Sequence, residues 1–192
     1  MYKSKQLTTL PLCLISLLLI FFLFPVLLNA SEKSGFTLSI YENPIETTRS
    51  LIEGSNKQIK AVIYKFEEKS LLTAIKQAYD RGVRIQLVVD QEEAEDKKSK
   101  VAIAAAYGVS IRTWPQGKLH AKFAIFDTSK VITGSFNWTK SAKKKNVELI
   151  SSYEDEPTAK RFIDLFDDLW NRAGSESHVY KPSTQRKAEA VQ

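Results

Sequence analysis

From Phe36 onward the hydrophobic period switches repeatedly between two and 3.6 residues, and this alternation confines the chain to an α/β architecture. Phe36–Tyr41 alternates apolar and polar residues, the pattern of a half-buried strand. Pro44 opens a short helix that runs through Glu53 and stops at Gly54. Ile59–Phe66 is a β-branched and aromatic run that reads as a buried strand. A helix over Lys69–Asp80 follows, with Leu71, Leu72, Ile75, Ala78 and Tyr79 on one stripe and Gly82 behind it. Val83–Asp90 is a strand, Gln91–Lys100 is charged, lacks a period and reads as a loop, and Val101–Tyr107 is a helix closed by Gly108. Short strands are expected over Val109–Arg112, Lys122–Phe126, Val131–Thr133 and Val147–Ser152. A last helix over Thr158–Arg172 carries Phe162, Phe166, Leu169 and Trp170 on its apolar face. The sum is a mixed, mostly parallel β-sheet flanked by helices.

Residues 1–30 belong to a different kind of segment. Lys3 and Lys5 precede an apolar stretch from Leu10 to Leu28, and no acid appears before Glu32. That order is expected of a signal peptide cut before Ser31, or of an N-terminal membrane anchor helix left in place. Pro11 and Pro25 shorten its clean helical part to Leu12–Phe24. Either outcome predicts an exported domain, periplasmic or secreted, or held at the membrane. The globular domain then covers 31–173, and 174–192 is a polar tail. The single cysteine, Cys13, falls in the apolar segment, so the domain has neither a disulfide framework nor a cysteine-ligated zinc. A net charge of +6 favours anionic partners, nucleic acid and phospholipid headgroups alike.

The chemistry lies between His120 and Glu148. On an extended strand residues two apart share a face, so His120 and Lys122 point the same way. An imidazole beside an ammonium can attack a phosphodiester while neutralising its non-bridging oxygens. Farther on, Gly134-Ser135-Phe136-Asn137 combines close backbone approach at Gly134 with hydrogen-bonding side chains at Ser135 and Asn137, both suited to phosphate.

The pattern His120-x-Lys122-x4-Asp127-x6-Gly134-Ser135-x-Asn137 resembles the signature of the phospholipase D superfamily, with every defining position filled. The similarity extends over roughly Ser39–Asn171 and is greatest to the small, exported bacterial endonucleases of the Nuc type, which carry one motif per chain. The resemblance implies a phosphohistidine mechanism: one histidine attacks phosphorus, and a second protonates the leaving oxygen and then activates water. The only other histidine is His178, in the tail, with Tyr180 rather than a lysine two residues on. A homodimer in which each chain supplies His120 to a shared cleft resolves the shortage. Lys122 and Asn137 are then expected on the phosphoryl oxygens, supported by Ser135 and Gly134. Glu148 occupies the position of the carboxylate that orients the imidazole in Nuc-type enzymes. Asp127 has the opposite strand parity from His120 and is expected to be structural, bonded to turn amides. No step calls for a cofactor or a metal.

Substrate is less constrained. Lys140, Lys143, Lys144 and Lys145 follow Trp138, which suits a nucleic-acid backbone with a stacked base, an anionic lipid surface, or a plain solvated turn. Trp114 is expected at the cleft entrance, in core packing or as a turn anchor, and Glu92–Asp96 as a solvated acidic loop. Three readings follow: a metal-independent, non-specific endonuclease on DNA or RNA, a phospholipase D on membrane phospholipid, and a binding module that keeps only the fold.

Overall fold

The computed structural model describes residues 33–173 and Tyr180. The expected signal or anchor, the polar tail and His178 lie outside them. No helix among the described residues is long and apolar enough to cross a membrane.

Seven strands form one sheet: β1 (Lys33–Leu38), β2 (Gln58–Ile63), β3 (Arg84–Asp90), β4 (Ser110–Trp114), β5 (Phe123–Phe126), β6 (Lys130–Gly134) and β7 (Leu149–Glu154). Their order is β1-β7-β6-β5-β2-β3-β4. The helices are α1 (Pro44–Gly54), α2 (Lys69–Asp80), α3 (Gln91–Glu95), α4 (Val101–Ala106), α5 (Lys140–Lys144) and α6 (Glu156–Arg172). The α/β sandwich is as expected, but the balance of the sheet is not. Only β2–β3 and β3–β4 are parallel, while β1–β7, β7–β6, β6–β5 and β5–β2 are antiparallel. The cause lies in the connections. Helical crossovers return β3 and β4 parallel, whereas the tight turn after Phe126 permits only a hairpin. Asp127 takes φ 54° in that turn.

Strand alternation sorts the core into two layers. Ile59, Ala61 and Ile63 of β2, with Ala124 and Phe126 of β5, meet Ile45, Ile52, Leu71 and Ile75 of α1 and α2. Val62, Phe123, Ile125 and Val131 face the other way, onto Ala159 and Phe166 of α6. Ile45, Ile52, Ile59, Leu71, Ile75 and Phe166 are fully buried, each contributing roughly 1.5–3 kcal/mol of apolar transfer. Local signals place the helix ends. Asn43 Oδ1 caps α1 through the Ile45 amide at 3.0 Å, and Asp155 Oδ1 caps α6 through the Thr158 amide at 2.7 Å.

Two short helices escape a reading by periodicity. α3 takes the first half of the expected loop at Gln91–Lys100, because Asp90 caps it and accepts from the Glu93 amide at 3.1 Å, while 96–100 stays a loop. α5 is capped in the same way by Thr139. Each has one buried residue, Ala94 and Ala142, so no stripe announces it.

Candidate active site

Antiparallel pairing gathers the motif at one edge of the sheet. β2 ends where β5 begins, because Val62 pairs with Phe123. β6 ends beside the start of β7, with Gly134 opposite Ile150. His120 and Lys122 therefore enter the sheet where Ser135 and Asn137 leave it and where Glu148 precedes β7. This is also the carboxyl end of parallel strands β2, β3 and β4, the usual ligand edge of an open α/β sheet.

Each motif segment is anchored by its neighbours. Asp90, buried at 2% exposure, caps α3 with one oxygen and accepts the Leu119 amide at 2.9 Å with the other. It thus fixes the residue ahead of His120. His120 and Lys122 precede β5 in extended chain rather than lying inside the strand. The Thr133 hydroxyl, donating to the Lys122 carbonyl at 2.8 Å, holds that entry against β6. On the other side, the Trp138 amide donates to the Lys65 carbonyl at 3.0 Å, while the Glu67 and Glu68 amides donate to the Trp138 carbonyl at 2.8 and 2.9 Å. Gly134 lies so close to β7 that a Cβ would overlap the Leu149 carbonyl oxygen.

Charge is distributed unevenly in this cleft. Lys122 is partly buried, and desolvation holds its pKa below the usual lysine range, with Glu148 acting to raise it. Asn137 Oδ1 is buried with no hydrogen-bond partner, an unfilled acceptor in the Gly134–Asn137 segment. Glu148 is 7% exposed and hydrogen-bonded through both oxygens: Ser135 Oγ donates to Oε2, and Asn146 Nδ2 donates to Oε1 at 2.8 Å. Its amide donates to Ser39 Oγ at 2.8 Å, and the Leu149 amide donates to Ser135 Oγ at 3.0 Å. Within one chain, then, Glu148 is bonded to Ser135 rather than to the imidazole. Substituting Glu148→Gln removes the charge that raises the Lys122 pKa, so deprotonation of that lysine begins at lower pH. The alkaline limb of kcat/KM should move toward acid in the variant, as a pH–rate profile on a small phosphodiester would show.

Asp127 stands apart from this cluster, at the far end of β5. Its carboxylate accepts the Lys57 amide at 2.8 Å, the Gln58 amide at 3.1 Å and the Asn56 amide at 3.2 Å. It therefore ties the β5–β6 turn to the α1–β2 turn and takes no part in the cleft. Asp127→Ala should lower stability by about 1–2 kcal/mol, read as a lower urea midpoint, because three amides lose a shared acceptor.

The aromatic expectations need correction. Trp138 is 4% exposed and meets Phe66 edge-on, ring centroids 5.2 Å apart, so it is core and offers no face to a base. Trp114 is a turn anchor, its indole donating to the Gln116 carbonyl at 2.5 Å. Of the lysine cluster, Lys143 is bound to Glu46 at 2.6 Å, whereas Lys140, Lys144 and Lys145 are exposed. The acidic stretch is partly structural, since Glu93 pairs with Lys65 at 3.1 Å. Two site residues were missed from sequence. Asp90 carried a signal, a strand-end aspartate three residues ahead of Glu93. Tyr64 carried almost none, for it lies within the apolar and aromatic run Ile59–Phe66. No group of three or more His, Cys, Asp or Glu among the described residues could hold a metal.

Motif and topology define a phospholipase D-like domain. The family described as cardiolipin synthase, PLD-like domain, matches residues 48–170, and the chain belongs to the phospholipase D superfamily. It is 28% identical to mitochondrial cardiolipin hydrolase of Xenopus tropicalis over 71% of this chain and 66% of that one. To phospholipase D of Rickettsia prowazekii it is 36% identical over 58% of this chain and 55% of that one. The chain thus spans about half to two thirds of the length of these curated relatives. Among solved structures, Nuc from Salmonella typhimurium, a phospholipase D family member, superposes with a TM-score of 0.70 at 27% identity, covering 79% of this chain and all of Nuc. NucT from Helicobacter pylori shares the fold, with a TM-score of 0.70 at 22% identity.

Proposed function

We propose that the chain is a phosphodiester hydrolase acting on nucleic acid, a non-specific endonuclease that works through a phosphohistidine and without a metal. The observation that carries the reading is the assembly of His120, Lys122, Ser135 and Asn137 at one sheet edge, with β5 and β6 pairing to bring the two halves of the motif together. His120 acts as nucleophile in one protomer and as general acid, then base, in the other. In the first step its nitrogen bonds to phosphorus while the second histidine gives a proton to the leaving oxygen. In the second, water deprotonated by that histidine attacks phosphorus and breaks the P–N bond, releasing the phosphoryl product and free His120. Lys122 and Asn137 stabilise the charge on the non-bridging oxygens.

Two observations support a homodimer. His178 has no lysine two residues on, so a second copy of the chain is the source of a second motif histidine. The sheet edge beside Glu148 is also unusually apolar: Phe36, Leu38 and Leu149 share a face of the β1–β7 ladder and are 85%, 38% and 46% exposed. Val147, Ile40 and Tyr41 border them, also exposed. A face of this kind, contiguous with an incomplete site, suits a second copy of the chain.

Nucleic acid is favoured over lipid by the similarity to Nuc across that protein's whole length and by exposed Lys140, Lys144 and Lys145. A phospholipase reading draws on the names of the curated relatives and on the apolar segment expected at residues 1–30. Export or membrane attachment through that segment is part of the proposal. The deciding experiment incubates the full chain and a His120→Ala control with plasmid and single-stranded DNA in EDTA at low salt. Cleavage by the wild type alone supports the nuclease. Intact DNA together with hydrolysis of cardiolipin or phosphatidylcholine vesicles would replace it with the lipid reading.

A further inference from the structure

We propose that Tyr64 is a positioning residue that sets the plane of the His120 imidazole, an inference that rests on the phosphodiesterase reading for its kinetic consequence only. His120 is exposed, and Glu148, the carboxylate expected to hold it, is hydrogen-bonded to Ser135 and Asn146 and not to the imidazole within the chain. What touches the imidazole is a ring. Tyr64 lies just beyond β2, its ring centroid 4.6 Å from that of His120 at an interplanar angle of 58°.

The phenol is itself held from several sides. The ammonium groups of Lys122, Lys118 and Lys65 lie 5.2, 5.5 and 5.6 Å from its centroid. Interaction with the Tyr64 side chain also holds the Lys118 pKa above its ordinary value. Lys65 is in turn fixed by Glu93 and, through its carbonyl, by the Trp138 amide. A flat wall clamped in this way removes rotamers that an exposed histidine would otherwise sample, and in-line attack on phosphorus requires that restriction. The same ring joins the motif lysine to the motif histidine, so both are referred to one fixed surface.

The test compares full-length wild type, Tyr64→Leu and Tyr64→Phe in detergent micelles. The phenylalanine keeps the wall and loses only the hydroxyl. With bis(p-nitrophenyl) phosphate, Tyr64→Leu should lower kcat by about tenfold or more with KM within about twofold, while Tyr64→Phe stays within about threefold in kcat. The chain has two histidines, so proton NMR of the imidazoles resolves them, and loss of a signal in His120→Ala assigns the pair. The His120 ring protons should shift in Tyr64→Leu, away from the ring current of the tyrosine, and hold their place in Tyr64→Phe. Unmoved His120 signals in Tyr64→Leu, or an unchanged kcat, overturn the proposal. So does a loss of kcat that Tyr64→Phe shares in full. If the wild type hydrolyses no phosphodiester, the functional reading falls, and the NMR comparison alone decides whether Tyr64 holds the imidazole.

Discussion

A His120→Ala chain is expected to lose phosphodiesterase activity by at least about 10⁴-fold, since it lacks both the nucleophile and the proton donor. The informative result comes from mixing. In a shared site each reaction uses two copies of His120, so a heterodimer of wild type and His120→Ala has neither a complete nucleophile–acid pair nor a spare. When equal amounts are unfolded together and refolded, random pairing leaves about half the activity per wild-type chain. Activity per wild-type chain that stays constant across the mixing series would show that each chain works alone. The same series, run with Lys122→Ala, reports whether one ammonium suffices for a shared phosphate.

The second large effect concerns the apolar edge. A charge placed among Phe36, Leu38 and Leu149 should separate the protomers while leaving the chain folded, because these side chains are exposed in the single chain. Leu149→Asp, combined with Val147→Asp, is expected to sediment as a monomer with an unaltered far-ultraviolet circular dichroism spectrum and to lose activity by about 10³-fold or more. A monomer of full activity would remove the reason for a dimer altogether. A variant that stays dimeric would move the interface to another surface.

Much of this was legible in the sequence, and the limits have physical causes. Lys69–Asp80 could be bounded to the residue because five apolar side chains repeat on one face and a glycine follows the end. The motif could be read because its residue types are scarce and their spacing follows one hairpin. Sheet polarity was not legible. Ile59–Ile63 is buried on both faces whether its neighbour runs with it or against it, so its composition cannot report that β5 lies antiparallel on one side and β3 parallel on the other. Trp138 was misjudged for a related reason, since a lysine-rich neighbourhood in sequence says nothing about Phe66 seventy-odd positions earlier. Tyr64 failed the opposite way: within a hydrophobic run it reads as core, and only its placement at the ligand edge makes it part of the site.

The position of β1 has a consequence for the order in which the molecule assembles and opens. Strands β5, β6 and β7 are contiguous in sequence, so their pairing closes only short loops and can form early. β1 reaches its one neighbour by joining Lys33 to Glu154, a contact that encloses nearly the whole domain. Its amides should therefore exchange with solvent deuterium sooner than those of β2, which is bonded on both sides. Because Phe36 and Leu38 ride on this strand, a partner seated on them would also hold the strand in place. Protection of β1 would then rise with protein concentration, and the last element to lock would be the one that completes the enzyme.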